Sequence, residues 1–190
     1  MKAIQRERGR LPRAPPTSNP VKRVKVLSVG DPAVGKSCII KRFCEGRFVQ
    51  EYISTIGIDY GVKPVIVDGQ ELKVSFWDSA GDPAYFEIRS EFYKDTQGVL
   101  LVFDVSQRKS FESLDRWLQE LKNLSGTDAV LIVVGNKIDS AQRTVPTTEI
   151  ASYCAKIGKR FFETSASSGQ GIQDLFDQMF SELSGKEKKS

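Results

Sequence analysis

The sequence predicts a three-layer α/β fold: a six-stranded, mostly parallel sheet with one antiparallel hairpin strand and helices on both faces. Three observations carry this expectation. Strand-length apolar runs alternate with helix-patterned segments along residues 21–184. Two of those runs, Gly98 to Val105 and Ala129 to Val134, are almost continuously apolar, as strands covered on both faces must be. Asp68-Gly69 lies between two strand-like segments and is a strong hairpin signal.

In chain order, Val24 to Val29 reads as a strand and Lys36 to Cys44 as a helix. Ile58 to Val67 and Glu71 to Trp77 are the hairpin strands. After the strand Gly98 to Val105 comes a helix from Ser110 to Leu124, with Trp117 half-buried on its amphipathic face. Ala129 to Val134 is the next strand, Thr147 to Ile157 a helix and Phe161-Phe162 a short strand. Ile172 to Leu183 closes the domain as a helix whose Ile172, Leu175, Phe176, Met179, Phe180 and Leu183 recur at helical spacing. Residues 1–20 read instead as a flexible basic arm, because Pro12, Pro15, Pro16 and Pro20 remove donors and nothing apolar repeats. Residues 185–190 form a short basic tail.

At 190 residues, with 39% hydrophobic and 27% charged, the chain suits one soluble domain. No window offers the roughly 18 apolar residues of a membrane helix. The net charge of +4 is concentrated at the two ends, leaving 21–184 near neutrality, so no basic nucleic-acid face is expected. The absence of histidine excludes His-dependent metal sites and Ser-His-Asp catalysis. Cys38, Cys44 and Cys154 fall at neither disulfide nor zinc spacing, which suggests a reducing, cytoplasmic setting.

Gly30-Asp31-Pro32-Ala33-Val34-Gly35-Lys36-Ser37 is a full G-x-x-x-x-G-K-S placed after a strand and opening a helix. Backbone N–H groups there can curl around a β-phosphate, with the helix N-terminus adding positive potential. Lys36 would reach the β- and γ-phosphates, and Ser37 would offer its hydroxyl to Mg²⁺. Past the end of a strand, Asp78 can hold a magnesium-bound water and Gly81 can present its N–H to a γ-phosphate. Asn136-Lys137-Ile138-Asp139 follows a buried strand. An Asp139 carboxylate can accept from both N1–H and the exocyclic amine of guanine, which adenine cannot match. Asn136 can meet the N7 side, and the Lys137 stem can cover the ring. A site built this way rejects the wrong base by ~10⁴-fold or more. Ala166, in Glu163-Thr164-Ser165-Ala166, can offer its N–H to the guanine O6. All four motifs sit at strand C-terminal ends, where open α/β sheets bind ligands.

This ordered set resembles the Ras superfamily over residues 22–183. Ser54-Thr55-Ile56-Gly57-Ile58-Asp59-Tyr60 and Trp77-Asp78-Ser79-Ala80-Gly81 are similar to the Rab forms of the corresponding loops. The resemblance implies a P-loop GTPase fold holding GTP or GDP with Mg²⁺. It implies Thr55 as second magnesium ligand beside Ser37, with Asp78 acting through water, and Phe48 stacking on the guanine. The phosphate-side contacts would come from Asp31, Ala33, Val34, Gly35, Lys36, Ser37 and Cys38, and the base-side ones from Asn136, Lys137, Asp139, Ser165 and Ala166. Lys36, Thr55, Gly81 and, atypically, Asp82 would surround the reacting phosphate. Thr55 and the loop from Asp78 to about Tyr93 would be two switches that bind effector and regulatory proteins.

Three departures matter. Asp82 occupies the position of the family's catalytic glutamine, so slow hydrolysis is expected, or binding with negligible turnover. Pro32 stands where Ras-like members have glycine. The C-terminal residues offer no cysteine for prenylation, so membrane contact should be weak at most, and a monomer is expected. With Cys38 to Cys44 and Glu91 to Gly98, these features look most like the Rab-like RJL subgroup. Many of its members carry a J domain, whose His-Pro-Asp this histidine-free chain cannot supply.

Overall fold

In the computed structural model, residues 21–50, 53–124 and 129–185 are described. The basic arm and residues 186–190 lie outside them. Six strands form one sheet: β1 (Lys22–Val29), β2 (Ile58–Val67), β3 (Gln70–Ser79), β4 (Gly98–Asp104), β5 (Val130–Asn136) and β6 (Arg160–Thr164), in the order β2-β3-β1-β4-β5-β6. Only β2 and β3 pair antiparallel; every other pairing is parallel. Asp68 (φ 50) and Gly69 (φ 76) join the hairpin with both central residues at positive φ, the primed-turn geometry that matches strand twist.

Side chains alternate across the central strands, so one face takes Val24, Val26, Leu100 and Val102 and the other takes Leu27, Val29, Val99, Leu101 and Phe103. The first face is covered by α1 (Lys36–Glu45) and α6 (Ile172–Gly185), whose six periodic apolar residues are all buried. The second face is covered by α4 (Leu114–Leu124) and α5 (Thr147–Ile157). Between β3 and β4 runs a short 3₁₀ turn, Pro83–Tyr85, followed by α2 (Phe86–Ser90).

The expected helix over Ser110 to Leu124 is two pieces, α3 (Arg108–Glu112) and α4, parted at Ser113. There the Ser113 hydroxyl donates to Lys109 O at 2.9 Å, a local bond that competes with helix continuation. Trp117 is fully buried rather than half-buried, because its indole N–H has a polar partner in the loop between β1 and α1.

Candidate nucleotide site

The loop between β1 and α1 has the shape its glycines predict. Gly35 takes φ 98, and a Cβ there would lie 2.3 Å from the Asn136 amide nitrogen, so no larger residue fits. The Lys36 ammonium donates to Gly30 O and Asp31 O, both at 2.9 Å. Burial pushes its pKa down to about 8, partly offset by Asp78 and Asp31. Asp31 turns its carboxylate away from the cleft, accepting from Arg116 at 2.7 Å and from Trp117 Nε1 at 2.8 Å. Val34 belongs to the core. These two residues bring backbone to the site rather than side chains.

Above Lys36, three oxygens from three segments meet. Ser37 Oγ lies 3.1 Å from Thr55 Oγ1, which donates to Asp78 Oδ2 at 3.5 Å. The Ser28 hydroxyl, unforeseen from sequence, fixes the other Asp78 oxygen at 2.7 Å. Burial raises the Asp78 carboxyl, while hydrogen bonds from Ser37 and Ser28 and the charge of Lys36 oppose the rise. Gly81 rests on the loop backbone so closely that a Cβ would meet Gly30 O at 2.5 Å.

Asp82 is exposed and caps its own 3₁₀ turn, accepting from Ala84 N–H at 2.8 Å. Behind it Arg89, 1% exposed, donates to Asp82 O at 2.8 Å and forks onto Glu120 at 2.9 and 3.0 Å. Tyr93 adds its hydroxyl to Glu120 at 2.5 Å. The Arg89 guanidinium lies 4.8 Å from the Trp117 ring centroid. This lock ties the segment after β3 to α4.

A compartment of about 290 Å³ over the phosphate loop is lined by Lys36, Ser37, Thr55, Gly81 and Asp82 among others. A second, of about 250 Å³, is lined by Phe48, Asn136, Lys137, Asp139, Ala166 and Ser167. The two share Ala33, Gly35, Cys38 and Val49, so they form one cleft. Asn136 is a buried tie: Nδ2 donates to Val34 O at 2.9 Å, and Oδ1 accepts from Thr164 Oγ1 and Ala166 N, both at 3.2 Å. Lys137 (φ 67) reaches Ala33 O at 2.7 Å and pairs with the buried Asp104 carboxylate at 2.8 Å. Ser165 turns inward to accept from Ser168 N, and Ser167 lines the cleft instead.

Residues 25–185 match the Ras family. The chain belongs to that family. Among its relatives are the proteins called DnaJ homolog subfamily C member 27. That of Danio rerio is 50% identical over 167 residues, covering 85% of this chain and 61% of the relative. The Rattus norvegicus protein is 49% identical over 174 residues, covering 87% and 64%. The Mus musculus protein is 50% identical over 164 residues, covering 83% and 60%. The chain thus spans about three fifths of the length of these relatives. As a Ras-family chain it is a Rab-like small GTPase, of the class that binds guanine nucleotide. Among the described residues, no helix is long and apolar enough to cross a membrane.

Proposed function

We propose that residues 21–184 form a guanine-nucleotide switch that takes GTP or GDP with Mg²⁺ and turns GTP over slowly. The observation that carries the proposal is the meeting of the Ser37, Thr55 and Asp78 oxygens beside the Lys36 ammonium. Hydroxyl and carboxylate oxygens are the donors Mg²⁺ accepts, usually few from protein and the rest from phosphate and water. Ser37 and Thr55 would hold the ion directly and Asp78 through water; once bound, it would supply neutralisation of phosphate charge.

With nucleotide bound, Lys36 would orient and screen the terminal phosphates, and the Gly81 N–H would be offered to the γ-phosphate. Thr55 engages Ser37 only when its segment folds over the cleft, so the flanking Ile53 and Ile56, 78% and 77% exposed, become part of a nucleotide-controlled partner surface. Water attacking the γ-phosphate in line would find no side chain that both donates and accepts. Asp82 can only accept, adds negative charge beside the phosphate, and is already engaged with Ala84 N–H. That same engagement favours the second reading, a scaffold that binds nucleotide with negligible turnover.

The test is to extract and identify the nucleotide from purified protein, then follow loaded GTP through a single turnover with Mg²⁺. Slow conversion to GDP, accelerated in Asp82→Gln, is the expected result. Wild-type hydrolysis equal to or faster than that of Asp82→Gln overturns the role given to Asp82. GTP persisting for hours in the wild-type chain, with conversion only in Asp82→Gln, favours the scaffold.

A further inference from the structure

We propose that Arg42 is a positioning residue for the guanine ring: one guanidinium holds together the two loops that carry Phe48 and Ala166, and so sets how long the nucleotide stays bound. This rests on the nucleotide-binding reading and adds a residue outside the phosphate, magnesium and base motifs.

Arg42 sits in the last turn of α1 and lines neither compartment. Its Nη1 donates to Gly46 O at 3.0 Å, its Nε to Ala166 O at 2.8 Å, and its Nη2 to Ser167 O. Gly46, at φ 69, is where the chain leaves α1, and its N–H returns to Arg42 O at 3.0 Å. Two residues later comes Phe48, in a segment that has neither helix nor strand to hold it. Ala166 and Ser167 belong to the loop after β6, which passes beside the arginine stem: a Cβ on Gly169 would lie 3.8 Å from Arg42 Cδ, an ordinary van der Waals contact. Capping α1 needs only the Gly46 bond; the two further bonds join that exit to a loop 124 and 125 residues away. Both loops line the same base compartment. A planar fork of five donors can serve three carbonyls at once, whereas a lysine ammonium is a point charge on a flexible stem.

The experiment measures dissociation of N-methylanthraniloyl-GDP from the full 190-residue chain, displaced by excess GDP. It compares wild type, Arg42→Ala, Arg42→Lys, Phe48→Ala and the Arg42→Ala/Phe48→Ala double variant. By analogy with outer-shell supports of metal ligands, Arg42→Ala should speed release about tenfold. Arg42→Lys should recover little of this. The double variant should release much more slowly than the product of the two single effects requires, because both act through the same wall. A role confined to folding lowers the bound fraction and leaves the release rate of that fraction unchanged. If Arg42→Ala does not fold, Arg42→Lys decides: a wild-type rate there overturns the proposal. So does an unchanged rate in Arg42→Ala, or single effects that simply multiply. A wild-type chain that takes up no labelled GDP overturns the nucleotide-binding reading itself, and this inference with it.

Discussion

At the phosphate end of the cleft, Lys36 reaches carbonyls five and six residues before it in the chain; at the base end, Asn136 reaches a carbonyl 102 residues away. The phosphate loop is local chemistry. Its glycines allow the turn, the helix that follows aligns its N–H groups, and the lysine closes back on its own loop. The base end is an assembly. Lys137 bonds a carbonyl 104 residues distant, Arg42 one 124 residues distant, and Asn136 ties the loops after β1 and β6 together. On the proposed reading, the lysine's share of charge neutralisation would depend on one short segment, while the oxygens for the metal come from three. Base selection would depend on three segments keeping their spacing, and a buried polar group that loses its partner there costs about 1–3 kcal/mol.

The sharpest way to break this comparison is Asp139→Asn. Reversing the acceptor should exchange guanine for xanthine preference, a change of ~10⁴-fold in relative affinity, measured by competition between GTP and XTP. Retained preference for GTP would remove Asp139 from the base end altogether. Next comes Asn136→Ala, which removes the tie to Val34 O and leaves the Thr164 hydroxyl and Ala166 N–H unpaired. Nucleotide release should quicken by roughly 10- to 100-fold, with guanine selectivity falling alongside. Faster release with unchanged selectivity would mean that the tie serves the phosphate loop rather than the base.

The smallest effect belongs to the support behind the phosphate end, Glu120→Gln. Burial raises the Glu120 pKa, but hydrogen bonds from Arg89 and Tyr93 and the Arg89 charge outweigh it, so the carboxyl is held below its ordinary 4.5. A depressed carboxyl contributes stability above the unfolded value and loses it as pH falls through the folded one. Near neutrality Glu120→Gln should cost about 1–2 kcal/mol in denaturant melts. That difference should shrink below about pH 4.5, where wild type loses its charge and the glutamine has none to lose. A difference constant from pH 7 to pH 3 would show that the ion pair contributes nothing.

Much of this site was legible from the chain. The phosphate loop needs a strand, a glycine-rich turn, a lysine and a helix within a dozen residues, so Lys36 and Ser37 stand out. Asp139 stands out because one carboxylate after a buried strand suits guanine. Ser28 left a fainter signal, a lone hydroxyl in an apolar strand, legible only once β1 and β3 are paired with Ser28 beside Asp78. Trp117 and Asp31 each looked ordinary alone: the tryptophan suited an amphipathic helix, the aspartate a phosphate loop. Their bond, and the Arg89 lock beside it, join segments whose approach no local pattern encodes.

By itself, the sequence determined the alternation of strands and helices, the order of the motifs and which side chains could serve phosphate, metal and base. Periodicity and turn chemistry act over a few residues, so they can be read from a few residues. Only the tertiary structure decided that Asp31 faces α4 instead of the cleft, that Ser167 rather than Ser165 lines the base compartment, and that Arg42 spans two loops. Those outcomes depend on which carbonyls and carboxylates come within hydrogen-bond reach once the sheet is ordered, a distance that separation along the chain does not set.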